Sequence, residues 1–341
     1  PGTMTRARAP TLHTVARAAG VSTAIVSRVV NGHYHGMSAA TRARVEAAVD
    51  RLGYFPNRAA RSLRTSRHHR IALIAVDSSP EFLADPFTTY VVAGLSNALS
   101  EQDYGLLVQR LNRRAPLDML LMRAQDADAI TLFMSGPQDE RLVLITRFRE
   151  LGLPLLVFQE TLAPIPDDVC VVRQDDRAGG RWLGERIRGL GLSDVLAVVP
   201  ELAWPAIEAR LAGLRDGLDE PGSLTILKVA ETDMQAVSTA LDRQLAAHVP
   251  EAIFASNDQL AAQSIGALAR IGREVPADVR VSGFNCLPIT GTVHPPLTTI
   301  RSPAFALGTR AADLLVRRLA EGRFETKELV LPVEPQAGQS L

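Results

Sequence analysis

The pattern of apolar and polar residues changes near position 70. Before it, apolar residues recur at spacings of three and four, which is typical of short amphipathic helices. After it, short unbroken apolar runs alternate with amphipathic stretches up to about residue 283. Fully apolar strands separated by helices indicate parallel sheets that are covered on both faces. The pattern therefore predicts a small helical domain followed by a larger α/β region.

Two short helices joined by a tight turn are predicted in residues 11–30. Thr11 or Thr14 can cap the first helix, and Gly20 can end it in a left-handed conformation. Ser22 can cap a second helix, whose outward-facing residues are Thr23, Ala24, Ser27 and Arg28. Ser38 can cap a third helix over residues 39–52, whose apolar stripe is Val45, Ala48, Val49 and Leu52. This arrangement is typical of a helix-turn-helix, in which the second helix enters the major groove of DNA.

The distribution of charge supports a nucleic-acid surface in the same part of the chain. Residues 1–70 contain 12 arginines, no lysine and two acids, whereas the remaining residues contain 25 basic and 35 acidic ones. A charged run is often only a solvated face, but here it coincides with the helix-turn-helix. Arginine suits bidentate contacts with phosphate or guanine. We therefore expect this domain to bind DNA.

The whole chain, at 341 residues, is too long for one compact core and suggests two or three domains. Predicted strands cover residues 71–76, 105–108, 129–133, 155–158, 169–172, 195–199, 225–229, 252–255 and 279–283. Predicted helices cover residues 88–102, 142–151, 179–189, 207–218, 234–247 and 259–271. Ligands bind to such folds at the carboxyl ends of the strands.

These motifs resemble those of the lactose-repressor (LacI/GalR) family of transcription regulators. The resemblance is carried by Ala19-Gly20-Val21-Ser22, Val26-Ser27-Arg28-Val29-Val30-Asn31, Gly53-Tyr54, Pro56-Asn57 and Ala59-Ala60, and it continues to about residue 332. It implies an N-terminal all-α helix-turn-helix domain plus a bilobed periplasmic-binding-protein-like core of two parallel-sheet α/β subdomains. The implied boundaries are 1–53 for the DNA-binding domain, 54–70 for a hinge helix and linker, 71–172 with 302–331 for the first subdomain, and 173–301 with 332–341 for the second.

The resemblance also implies which residues meet DNA. Thr23 and Ala24 occupy the positions that chiefly select the operator sequence, and Arg28 matches a guanine-reading arginine. Other implied DNA contacts, several of them to phosphate, are Thr11, Ser22, Ser27, Asn31, Thr41, Tyr54 and Asn57. Two alternatives stay open. In the first, Thr23 and Ala24 are surface residues that do not contact DNA; in the second, Arg28 contacts only phosphate.

A hinge helix is implied over residues 57–63, and it is too short to be stable alone. In the family this segment folds when two copies meet in the minor groove, where a leucine wedge opens a base step. Leu63 matches the wedge and Ala60 packs beside it, although Leu63 could instead pack between domains. Two hinges imply a homodimer on near-palindromic, double-stranded operator DNA. The C-terminal segment has no heptad repeat, so we expect a dimer and not a tetramer.

A small-molecule effector is expected in the cleft between the lobes. The candidate residues are Asp85, Phe87, Gln159, Trp204, Arg210, Asn257, Asp258 and Asn285. Arg210 matches the family's arginine that grips ligand oxygens, and Trp204 can stack on a sugar ring. Alternatives stay open: Asp258 as a helix cap, Phe87 and Trp204 as core residues, and Arg210 as a surface ion-pair partner.

The amides of Gln159 and Asn285 bear on the kind of effector. Both stand where sugar-binding relatives often carry aspartate, and amides donate as well as accept. A cleft with Arg210 and fewer acids should tolerate an anion better. We expect a neutral sugar that acts as inducer; a sugar phosphate, a sugar acid or a co-repressor are the alternatives.

Other classes of protein find less support. Cys170 and Cys286 form neither a metal pattern nor a disulfide framework, and no metal or cofactor is expected. No apolar run approaches the roughly 18 residues of a membrane span and no signal peptide precedes Thr11, so a cytoplasmic protein is expected. No phosphate loop or nucleophile elbow points to an enzyme. The alternative from another class is a sugar-binding protein without a DNA function.

Overall fold

The computed structural model describes residues 10–30, 32–54, 67–77, 82–112, 126–202, 204–219 and 223–341. It consists of two compact units, Pro1–His68 and His69–Leu341. We call the described part of the first unit the headpiece and the second unit the core.

The helices in the described residues are α1 (Leu12–Ala19), α2 (Thr23–Val30), α3 (Ala39–Leu52), α4 (Pro86–Glu101), α5 (Gln138–Arg149), α6 (Asp176–Gly189), α7 (Pro205–Leu218), α8 (Met234–Ala247), α9 (Asp258–Arg270) and α10 (Ala304–Glu321). The strands are β1 (Arg70–Val76), β2 (Gly105–Leu111), β3 (Ala129–Met134), β4 (Leu155–Phe158), β5 (Val169–Gln174), β6 (Asp194–Pro200), β7 (Ser223–Val229), β8 (Ala252–Ala255), β9 (Arg280–Ser282), β10 (Thr299–Arg301), β11 (Glu328–Leu331) and β12 (Glu334–Gln336).

The headpiece has the predicted caps and the predicted core. Thr11 caps α1 by accepting a hydrogen bond from Thr14, whose side chain accepts one in return from the Thr11 backbone. Gly20 ends α1 with a φ of 64°, which glycine adopts with little strain. The three helices meet at Val15, Val26 and Val45, which are completely buried.

The exposure of two headpiece residues was not anticipated from the sequence. Leu52, predicted to belong to the apolar stripe of α3, is 36% exposed. Tyr54, predicted as a DNA contact, is 6% exposed and packs in the headpiece core with Val45 and Ala48. Because α3 ends at Gly53 with a left-handed turn, the chain folds Tyr54 back against the helices. Tyr54 therefore stabilises the headpiece, and its contact with DNA stays a prediction.

The core contains two parallel sheets. The first has the order β11-β5-β4-β3-β1-β2 and forms the first lobe together with α4, α5 and α10. The second has the order β7-β6-β8-β9 and forms the second lobe with helices α6 to α9. A short antiparallel pair, β10 with β12, accompanies them. The predicted fold class, a helical headpiece plus two parallel-sheet α/β lobes, is confirmed.

Helix α10 was not predicted from the sequence. It packs against α4 so closely that a Cβ on Gly94 would lie 2.0 Å from the carbonyl oxygen of Phe305. A Cβ on Gly308 would lie equally close to the carbonyl oxygen of Val91. The two glycines thus allow the two helix backbones to touch, and α10 becomes part of the first lobe although it lies far along the chain.

The same kind of contact joins α6 to α7 in the second lobe. A Cβ on Gly180 would lie 2.1 Å from the carbonyl oxygen of Arg210, and one on Gly213 would lie 2.0 Å from that of Arg177. Since neither backbone can retreat without moving its helix, these glycines fix the distance between α6 and α7.

Among the helices of the described ranges, none is long and apolar enough to cross a bilayer.

Candidate functional site

A cavity of about 570 Å³ lies between the two lobes. It is lined by residues that follow β1, β3 and β4 of the first sheet and β6, β7 and β8 of the second, so it lies at the carboxyl ends of parallel strands. The volume falls in the range of small-molecule sites. Its aromatic lining residues are Phe82, Phe87, Phe133, Phe158 and Trp204.

Most of the effector residues predicted from the sequence lie in the wall of this cavity. They are Asp85, Phe87, Gln159, Trp204, Arg210, Asn257 and Asn285. Phe87 also belongs to the buried apolar cluster of the first lobe, which is the alternative that the sequence left open for it. Trp204, from the second lobe, packs against that same cluster. What these residues bind stays a prediction.

Asp258 is the exception, because it is not among the residues that line the cavity. Its side chain accepts a hydrogen bond from the Thr299 hydroxyl at 2.6 Å and one from the Leu287 backbone at 3.2 Å. Burial raises its pKa to about 6. The cap of α9 is Asn257, whose side chain accepts from the backbone of Leu260. Helix α9 begins one residue earlier than predicted, so Asp258 turns inward and holds the loop that carries Asn285.

Arg210 is the centre of a buried network at the floor of the cavity. Its Nε donates to Asp176 at 2.7 Å, its Nη1 to the carbonyl of Ser256 at 2.5 Å and its Nη2 to Asn285 at 3.1 Å. The guanidinium also lies over the ring of Phe284, with 3.8 Å between its carbon and the ring centre. Arg210 is therefore a buried ion-pair partner, and not the surface one considered from the sequence.

The network continues into the first lobe through Gln159. The Gln159 amide donates to the second carboxylate oxygen of Asp176 at 3.2 Å, and its oxygen accepts from the backbone of Gln174. The side chain of Gln174 donates to Asp176 at 2.7 Å. The pKa of Asp176 is raised by burial, and the adjacent guanidinium of Arg210 offsets only part of that rise. With Asp176 ionised, the pair carries no net charge, so the floor of the cavity is polar but not cationic.

Glu231 is a cavity residue that the sequence analysis missed. It follows β7 and accepts a hydrogen bond from the side chain of Asn257 at 3.3 Å. Burial and the nearby carboxylates of Asp85 and Asp77 raise its pKa to about 7. The position of Glu231 just after a predicted strand was the signal that could have found it. The described residues of the cavity wall thus include carboxylates from both lobes, and their one cation is the paired Arg210.

The predicted DNA-reading residues are displayed by α2 and its neighbours. Ala24 and Arg28 are exposed, and Thr23 and Ser27 are half-buried. The Nη2 of Arg28 donates to the backbone carbonyl of His35, which holds the guanidinium against the turn after α2.

The remaining residues predicted to contact DNA either form hydrogen bonds at the starts of helices or lie outside the described residues. Thr11 and Ser22 are engaged at the starts of α1 and α2, and Thr41 bonds Ser38 at the start of α3. Thr11 and Ser22 are exposed, and Thr41 is half-buried. Asn31, Asn57, Ala60 and Leu63 lie outside the described residues.

Together these features define a class of protein: a helix-turn-helix headpiece joined to a bilobed core with a cavity between its lobes. The profile of the bacterial regulatory proteins of the lacI family matches residues 11–57. The profile of the periplasmic binding protein-like domain matches residues 190–341. The chain belongs to the lacI family of bacterial regulatory proteins. The resemblance found in the sequence is therefore confirmed.

Individual relatives agree along nearly the whole chain. The HTH-type transcriptional regulator CelR of Thermobifida fusca is 31% identical over 335 residues, which are 96% of this chain and 97% of CelR. A crystallised CelR–cellobiose complex has a TM-score of 0.70 at 28% identity and covers 97% of this chain and 100% of that one. A lac repressor dimer bound to operator and the anti-inducer ONPF has a TM-score of 0.82 at 24% identity and covers 98% of this chain and 99% of that one. The predicted class, a DNA-binding regulator of transcription, is confirmed.

Proposed function

We propose that the chain is a homodimeric repressor whose affinity for a near-palindromic operator is controlled by a neutral sugar bound between the lobes. The sugar acts as inducer in this proposal. The protein works in the cytoplasm, as a regulator and not as an enzyme. The observation that carries the choice of a neutral sugar is the pairing of Arg210, which lines the cavity, with the buried Asp176.

This pairing argues against an anionic effector. An arginine whose charge is balanced by a carboxylate 2.7 Å away attracts a phosphate much less than a free one. Among the described residues of the wall, the other ionisable side chains are the carboxylates of Asp77, Asp85 and Glu231, which repel anions. The expectation that Gln159 and Asn285 leave the cleft poor in acids does not hold for the cavity as a whole.

The same groups suit a sugar. Carboxylates accept hydrogen bonds from sugar hydroxyls, and the amides of Gln159, Asn257 and Asn285 can exchange them in both directions. Aromatic rings in the wall offer faces to the apolar side of a pyranose ring. The relative CelR has been crystallised with cellobiose, which supports this class of ligand. Cellobiose is therefore the first probe.

The DNA-binding half of the proposal rests on the headpiece. Helix α2 displays Thr23, Ala24 and Arg28 at the positions that read an operator in the family. The proposed wedge at Leu63 and its neighbour Ala60 would join two copies in the minor groove. Two headpieces then require an operator with two related half-sites.

Selection of operators from random duplexes by the full-length protein, followed by gel shifts, tests the proposal. We expect one near-palindromic motif to be enriched, and cellobiose or another neutral sugar to weaken its binding. Calorimetry should show binding of a neutral sugar and weaker or no binding of gluconate and glucose 6-phosphate. Binding of anions alone would refute the neutral-sugar assignment. A lack of preference among duplexes would refute sequence-specific binding to an operator.

A further inference from the structure

An ion pair crosses from one lobe to the other beside the cavity. Glu208, in the first turn of α7 of the second lobe, places Oε2 3.7 Å from Nη2 of Arg141, on α5 of the first lobe. We propose that Arg141 and Glu208 form a latch that favours the closed arrangement of the lobes and thereby raises the affinity for effector. The effector part of this inference rests on the proposed function.

Arg141 is a fixed receptor for the latch. Its Nε and Nη2 donate to the two carboxylate oxygens of Glu160, at 2.7 and 3.3 Å, and its Nη1 donates to the carbonyl of Gly136. The side chains of Arg141 and Glu160 are each only 2% exposed. Every one of these partners belongs to the first lobe. Arg141 is therefore held in place within its own lobe, whether or not Glu208 approaches.

Glu208 is the partner whose contact with Arg141 can break with little loss of free energy. Its side chain is 56% exposed, so water can replace Arg141 around its carboxylate. Solvent-accessible pairs of this kind contribute little, and Glu160 already balances much of the charge of Arg141. Breaking the contact with Glu208 therefore changes an equilibrium by at most about fivefold. A reversible switch needs a weak contact. A ligand can shift the equilibrium between two states only by the difference between its affinities for them, so a strong contact would be hard to overcome.

The place of Glu208 on α7 couples the latch to the cavity. Trp204, the residue that precedes α7, packs against the apolar cluster of the first lobe. Ile207 and Arg210, on the same helix, also line the cavity. Since α7 is tied rigidly to α6 through Gly180 and Gly213, a movement that separates Glu208 from Arg141 also moves this wall of the cavity.

A distance measurement without any sugar tests the latch directly. Spin labels are attached in a Cys286→Ser background at Val143→Cys on α5 and Ala246→Cys on α8, both exposed positions on opposite lobes. Full-length labelled protein is diluted with unlabelled protein, so that only distances within one chain are seen. We expect Glu208→Gln to shift the distribution toward longer distances in low salt.

High salt and a matched variant complete the distance experiment. In about 1 M sodium chloride, where the Debye length is about 3 Å, the unmodified protein should approach the Glu208→Gln distribution. Glu185→Gln removes a similar exposed charge from α6 of the second lobe and should leave the distribution unchanged. Superimposable distributions for Glu208→Gln and the unmodified protein in low salt would overturn the latch.

Calorimetry with cellobiose then links the latch to the proposed effector. We expect Glu208→Gln to weaken cellobiose binding about two- to fivefold and to remove its dependence on salt. Equal affinities for the two proteins would overturn the role of the latch in effector binding. Failure of cellobiose to bind the unmodified protein would count against the proposed effector class, while the distance measurement would still decide the latch.

Discussion

The carboxylate of Asp176 lies 2.7 Å from Nε of Arg210, and both side chains are only 4% exposed. Asp176 begins α6 and Arg210 lies in α7, so the pair joins the two helices that glycine contacts already hold together. Gln159 bonds the same carboxylate from the first lobe. One buried charge pair thus connects both lobes to the floor of the cavity.

Removing the charge of Asp176 should therefore destabilise the core. Asp176→Asn leaves the guanidinium of Arg210 buried without a counter-ion, which costs about 3–5 kcal/mol. We expect a loss of that size in the free energy of unfolding of the core, measured by urea denaturation followed by circular dichroism. Asp216→Asn, which removes the partner of the exposed Arg177, should have a smaller effect. Equal losses would show that the buried pair stabilises no more than a surface contact.

The close approach of α6 and α7 makes a second prediction. Gly213→Ala places a Cβ 2.0 Å from the carbonyl oxygen of Arg177, and overpacking of this kind costs about 1–3 kcal/mol. It should also displace α7 and weaken binding of cellobiose in calorimetry. Gly189→Ala, at the end of α6 where no heavy atom lies within 4 Å, should be neutral or stabilising. Similar melting temperatures for the two variants would contradict the packing argument.

The fold was predictable because its signals are local. The helix ends at Thr11, Gly20 and Ser38 follow from single side chains or from glycine, and the structure has all three. The alternation of buried strands with helices predicted parallel α/β sheets, and the family resemblance implied their division into two lobes. Helix α10 was missed, although Leu307, Ala311 and Leu315 give it an apolar face at helical spacing.

The cavity was less predictable because it depends on side-chain direction. A shift of one residue at the start of α9 decides that Asn257 faces the cavity and Asp258 faces Thr299. Glu231 follows β7 as visibly as other candidates follow their strands. By contrast, only the packing of α6 on α7 makes Asp176 the partner of Arg210, so no local pattern indicates that the arginine is neutralised.

The raised pKa of Glu231 predicts that sugar binding depends on pH. Burial and the carboxylates of Asp85 and Asp77 raise this pKa to about 7 in the unliganded protein. Hydroxyl groups of a sugar that donate to the carboxylate favour its ionised form, so binding lowers the pKa and releases a proton. Affinity for cellobiose should therefore fall as the pH is lowered from 8 to 6, by up to about tenfold. Calorimetry in buffers of different ionisation enthalpy would count the released protons.

A matched variant separates Glu231 from other titrating groups. Glu231→Gln keeps the size of the side chain and removes its ionisation, so the affinity between pH 6 and pH 8 should become nearly constant. Asp258, whose pKa of about 6 reflects burial, remains in this variant and reports any contribution of its own. An unchanged slope in Glu231→Gln would assign the pH dependence to another group.

The exposed guanidinium of Arg28 predicts how specificity is lost in the headpiece. If Arg28 reads a guanine, Arg28→Ala should reduce the preference for operator over random duplex by about 1–3 kcal/mol in gel shifts. Arg51→Ala, at the exposed end of α3, should at most weaken binding to all duplexes alike and make it less steeply dependent on salt. The bond from Arg28 to the carbonyl of His35 must break or rotate when the side chain reaches a base. A uniform loss for Arg28→Ala across all duplexes would show that Arg28 contacts only the phosphate backbone.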